Sequence, residues 1–164
     1  VFTSPPYDVA GIVQLSKQLD PTRLVDTDSG GQANSLHIGD VNDIHSYPYP
    51  GDPAASDSQY AMIGEFGGIG LALAGHEWVS GGCHGYGALV ANGSVLTATY
   101  EGFADTVVSL VPAGLSASVY TQTSDCEREC NGVLTYDRVL KPNATRWRAA
   151  SERILAAAAS QPIS

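Results

Sequence analysis

Positive charge is scarce in this sequence: 8 Lys and Arg stand against 17 Asp and Glu among 164 residues, for a formal net charge of −9. The basic residues form no run, so the electrostatic footprint that phosphate backbones require is missing, and nucleic acid is not an expected partner. Long apolar runs are missing too. None approaches the roughly 20 residues that cross a bilayer as a helix, and the amino end has no basic segment followed by an apolar one, so no membrane partner is expected either. The chain starts at Val1 rather than Met, as expected of a processed chain or of a piece of a longer one.

Cysteine is equally sparse. Cys83 stands alone, and Cys126 and Cys130 are spaced C-x3-C. An odd count argues against a disulfide framework, and zinc needs about four ligands, for which no second Cys/His pair of matching spacing exists. The expectation is three small buried or half-buried thiols, with no metal and no other cofactor.

What is present suits one folded domain: 43% hydrophobic and 15% charged residues are enough for a core. Eighteen Gly and nine Pro, with long stretches over 27–40 and 64–93, assign much of the chain to loops, where function collects. Asn92-Gly93-Ser94 and Asn143-Ala144-Thr145 fit the glycosylation acceptor pattern. They are compatible with secretion but do not establish a compartment.

Taken in order, Pro5-Pro6 excludes helix at the start. Asp8 then caps a helical stripe of Val9, Ile12, Val13, Leu15 and Leu19 that stops at Asp20-Pro21. Arg23 to Asp26 reads as a short strand feeding the polar loop Thr27-Asp28-Ser29-Gly30-Gly31, and Val41 to Tyr47 as a strand closed by Pro48, Pro50 and Pro53. Leu96, Tyr100, Phe103, Val107 and Leu110 keep a helical period, with Ser94 as cap. Ser116 to Gln122 reads as strand, and a helix around Trp147, Ile154 and Leu155 closes the chain. Such an order predicts a parallel α/β sheet of about four strands, in which the proline-rich loop 48–59 replaces one crossover helix.

The chemistry points to Tyr60-Ala61-Met62-Ile63-Gly64-Glu65-Phe66-Gly67-Gly68. Ala61 to Ile63 show no alternation, so this strand is expected to be covered on both faces. Glu65 lies where the strand emerges, the end at which parallel α/β folds collect catalytic groups. The plainer reading is a strand-end Glu that is merely solvated or ion-paired. Alternation puts His45 and Tyr47 on one face of their strand, and Gly75-His76-Glu77-Trp78 sets an aromatic beside a His, a plausible wall for a sugar or aromatic ligand.

Several ordered blocks carry a resemblance. They are Pro21 to Asp26 with Ser29-Gly30, Gly39 to Pro48, Gly64 to Gly68 with Gly75 to Trp78, and Val119 to Asp125 with Asn131-Gly132 and Thr135 to Arg138. Together they resemble the catalytic barrel of glycoside hydrolase family 2, most strongly over residues 8–138, with 139–164 as a C-terminal helical segment. The resemblance implies that residues 1–164 form the C-terminal half, strands five to eight, of a (β/α)8 TIM barrel in a longer multidomain chain. It further implies a retaining β-glycosidase of the β-galactosidase, β-glucuronidase or β-mannosidase kind. Glu65 falls on the family's nucleophile position, and His45, Tyr47, His76, Trp78, Tyr120 and Gln122 are the expected substrate-binding residues. The implied partners are a carbohydrate β-glycoside and the missing N-terminal barrel half, or a second copy paired through open strand edges.

One departure accompanies the match. The family's acid/base is a Glu preceded by Asn just before the helix that here starts at Asp8, and Phe2-Thr3-Ser4 offers no such pair. The acid/base is therefore expected on missing or altered upstream sequence. The alternative is a catalytically inactive carbohydrate-binding or degenerate fragment. A metal-dependent hydrolase built on His37, Asp40, Asp43 and His45 is a third reading, weakened by the Gly39 break between His37 and the strand.

Overall fold

The computed structural model describes residues 8–27, 29, 30 and 37–161. The readings made on Phe2 to Tyr7 and on Asp28 lie outside them. Helix α1 (Val9–Leu19) is capped by Asp8, whose carboxylate accepts the Gly11 N–H at 2.8 Å. Strands β1 (Val41–Ser46) and β2 (Tyr60–Gly67) follow, then helix α2 (Gly93–Leu110), a short 3-10 turn, strand β3 (Leu115–Thr121) and helix α3 (Ala144–Ala159). The three strands form one parallel sheet in the order β1-β2-β3, so β2 is central.

The half-barrel expectation is corrected here. The described residues contain three strands in one open sheet and three helices, not four strands of a barrel half. The segment Arg23 to Asp26 is not a strand. The Val25 N–H is taken by the Asp40 carboxylate at 2.6 Å, and its carbonyl by the Asp40 N–H at 2.9 Å. A single residue thus consumes the groups that a ladder would have used, and Leu24 is left 64% exposed. The loop between β1 and β2 does lack a helix, as the prolines predict.

Helices α2 and α3 cover one face of the sheet. Ile63, Phe66, Leu96, Phe103, Val107 and Leu115 form the main buried cluster, and Tyr100 stacks on Trp147 at 3.7 Å beside the fully buried Ala104 and Ala150. Fully burying side chains of this size stabilises the fold by about 1.5–3 kcal/mol each, which makes this layer the rigid frame of the molecule. The expected double cover of β2 holds on the helical face. On the other, Met62 is half-buried and lines an apolar recess with Leu24, Val41 and Ala117. Helix α1 buries none of its residues and is tied on by Lys17, which pairs with Asp40 at 2.5 Å.

The two glycosylation patterns have a structural use of their own. Asn92 accepts from the N–H groups of Ser94 and Val95, and Asn143 from that of Arg146, so each asparagine is a helix N-cap. The cap of α2 is thus Asn92, not Ser94.

The cysteine expectation is also corrected. Cys83 and Cys130 form a disulfide across 47 residues of sequence, with Cα atoms 5.3 Å apart, and Cys126 is the free thiol, exposed. Backbone bonds between two loops bring the pair together: Leu71 N–H to Cys130 carbonyl at 2.8 Å, and Cys130 N–H to His84 carbonyl at 2.8 Å. Spacing along the chain carries no trace of that meeting. Cross-linking a loop of this length constrains the unfolded chain, so Cys83→Ser is expected to lower stability by about 2–4 kcal/mol. A urea midpoint that is the same for variant and parent, both without reductant, would refute this.

Candidate active site

A bulge aims Glu65. In the parallel pair β1–β2, Ile44 faces Ile63 but the next residue, His45, faces Glu65, so Gly64 is the extra residue. Ile63 and Phe66 both pack in the helical core. Strict alternation after Ile63 would have turned Glu65 toward that core, and the extra residue shifts the phase and turns it to the opposite face. Gly64 is needed for a second reason. A Cβ there would lie 2.2 Å from an Asp43 carboxylate oxygen, so only glycine lets Asp43 settle over the bulge and accept the Gly64 N–H.

Two side chains of β1 and its exit converge on one Glu65 oxygen. The Tyr47 hydroxyl donates to Oε2, and His45 Nδ1 lies 3.4 Å from the same atom. Tyr47 is braced by a parallel stack on Tyr86 at 3.8 Å and by the Thr121 hydroxyl at 2.9 Å. Burial, and then the hydrogen bond to Glu65, push the Tyr47 phenol well above its ordinary value, so it stays a neutral donor. Oε1 of Glu65 takes no hydrogen bond from the described residues, and the side chain is 40% exposed.

Behind His45 stands a second layer. Its Nε2 lies 2.7 Å from the Ser29 hydroxyl, which also lies 2.7 Å from Asp43 Oδ2. The buried Asp43 carboxylate only accepts, so Ser29 donates to Asp43 and receives from His45 Nε2–H. The imidazole is thereby fixed in plane and direction. Its other ring nitrogen, Nδ1, is held facing Glu65 Oε2.

The remaining expected site residues divide. Gln122, just past β3, donates to Asn131 Oδ1 at 2.6 Å and to Glu129 at 3.2 Å, and it lines a groove. Trp78 lines the same groove, 60% exposed, in edge contact with Tyr136. His76 holds Asp137 at 2.8 Å. The Thr135 hydroxyl and then His76 keep the Asp137 carboxyl below the usual carboxylate range. Tyr120 is not at the site. Its ring lies among Phe66, Tyr100 and Trp147 on the helical side, edge-on to each, where burial pushes its hydroxyl above the ordinary value.

The alternative metal set is dispersed. His37 bonds Gln59, Asp40 holds Lys17 and the Val25 N–H, and Asp43 and His45 share Ser29. Among the described residues, no three His, Cys, Asp or Glu side chains are grouped so as to hold a metal ion. Ser29, Tyr86 and Thr121 went unread in the sequence as site residues. Asp43 shared the alternation of His45, a usable signal, whereas nothing local marked Tyr86, which arrives from a loop. Compared with known protein families and with curated proteins, the sequence matches none.

Proposed function

We propose that Glu65 is the nucleophile of a retaining β-glycosidase, an O-glycosyl hydrolase of the family 2 kind whose acid/base is supplied from outside the described residues. What supports this reading above all is the state of Glu65: a half-exposed carboxylate at the C-terminal end of the central parallel strand, with one oxygen bonded by Tyr47 and faced by His45 and the other taking no hydrogen bond from the described residues. A retaining enzyme needs such a group. Oε1 attacks the anomeric carbon as the bond to the leaving oxygen breaks, giving a glycosyl ester, and water then cleaves that ester. Tyr47 and His45 fix the carboxylate for attack and stabilise it again as it leaves.

One observation favours a second reading, carbohydrate binding without turnover. The other carboxylate joined to this network is Asp43, which is fully buried and committed to Gly64 and Ser29, so it does not serve as an acid for a glycosidic oxygen. A single experiment separates the two. A 2-deoxy-2-fluoro β-glycosyl fluoride brings its own leaving group and needs no acid, so it is expected to label the chain covalently at Glu65. Mass-mapped label on another residue, or none from the galacto-, glucurono- and manno-configured reagents, would refute the nucleophile.

A further inference from the structure

Beyond Glu65, the chemistry above leaves unused an open groove of about 610 Å³ bounded by Trp78, Gln122, Glu127, Tyr136 and Arg138. It continues past Trp78 and Glu127 into a second recess of about 430 Å³, beside His84 and Arg128. We infer that this groove holds a further sugar unit of a carbohydrate chain whose first unit lies at Glu65, which makes the substrate class an oligosaccharide or polysaccharide. The inference rests on the glycosidase reading for the first unit only.

The groove wall begins one residue beyond a side chain of the site. Glu65 contacts Tyr47, Tyr47 contacts Thr121, and the next residue, Gln122, forms part of the groove wall. Its aromatic corner is built rather than incidental. His76 clamps Asp137, Thr135 bonds Asp137 at 2.5 Å, and Trp78 and Tyr136, two residues after His76 and one before Asp137, meet at 5.4 Å with their rings perpendicular. Such bracing removes the ordering cost that an exposed Trp on a loop would otherwise impose on binding.

The charge pattern points the same way. Every other Lys and Arg among the described residues has a carboxylate partner: Lys17, Arg23, Lys141, Arg146, Arg148 and Arg153. Arg128 and Arg138 have none among the described residues; Arg138 lines this groove, Arg128 the recess that adjoins it, and Glu127 both. Exposed aromatic faces with planar donors not tied up in ion pairs and a carboxylate beside them suit a pyranose ring, with its apolar C–H face and its rim of hydroxyls.

The test measures binding by calorimetry on the full chain, using β-linked gluco-, galacto- and manno-oligosaccharides of two to six units and the matching monosaccharides. At least one series is expected to bind more tightly as a second unit is added. Trp78→Ala should weaken the chains about tenfold or more relative to the monosaccharide, with Trp78→Phe recovering part of the loss. Circular dichroism identical to the parent would show the variants folded. Affinity that is independent of chain length, or chains bound equally by Trp78→Ala, overturns the subsite. Trp78-dependent binding without label on Glu65 would leave the subsite standing and refute the reaction. Label on Glu65 without chain-length dependence would do the reverse.

Discussion

Changing Glu65 to Gln is expected to lower kcat on an activated aryl β-glycoside by about 10⁴- to 10⁶-fold, the scale on which removing a nucleophile acts in other hydrolases. The amide keeps the shape of the carboxylate and can still accept from Tyr47, so the fold and the pocket persist, but its oxygen is too weak a nucleophile to form the glycosyl intermediate. Tyr47→Phe separates the attacking group from its support. It deletes one hydrogen bond to a charged acceptor, worth about 1.5–3 kcal/mol, and so should cost about 10- to 100-fold. Glu65→Ala opens space beside the anomeric carbon, and added azide should then return a glycosyl azide of inverted configuration. Turnover by Glu65→Gln within tenfold of the parent, on a preparation free of contaminating glycosidase, would remove Glu65 from the chemistry.

How far the sequence could be read follows from what each signal measures. Local apolar pattern, periodic in α1 and α2 and an unbroken run in β2, located α1, β1, β2, α2, β3 and α3 within a few residues of their ends. It failed at Arg23 to Asp26, because so short a run does not reveal that Asp40, fifteen residues beyond Val25, will take the backbone groups of Val25. Losing that strand removed the fourth member of the half-barrel. The site was partly legible for the same reason: His45 and Tyr47 share a face by simple alternation, and both meet Glu65. That Glu65 points away from the core depends on the bulge at Gly64, a property of pairing with β1 that no single strand displays. Tyr120 shows the converse. As a strand-end aromatic it suits a sugar wall, yet the helical layer takes its ring as core. The Cys83–Cys130 pair and the Tyr47–Tyr86 stack arise where separate loops meet, and local reading is blind to both.

Removing one member of the Lys141–Asp125 pair is expected to destabilise the fold by about 3–5 kcal/mol, because it strands a charge where water cannot reach. The Lys141 side chain is fully buried and that of Asp125 almost so. Nζ donates to Asp125 at 2.6 Å and to the Cys130 carbonyl at 3.0 Å, while Asp125 also accepts the Gly132 N–H at 2.8 Å. These bonds pin the segment that presents Gln122, Tyr136 and Arg138, so Lys141→Met or Asp125→Leu alone should also loosen the groove. The double variant replaces both ions with apolar volume and should regain most of the loss. The pair also leaves a mark in pH. Burial holds the Lys141 ammonium below its ordinary pKa, with Asp125 opposing that shift. The unfolded chain therefore binds the proton more tightly, and this group's contribution to stability rises as pH climbs from the lowered value toward the ordinary one near 10.4. The Lys141→Met variant should lack that rise. Single variants within 1 kcal/mol of the parent by urea titration would show that the pair carries no buried charge.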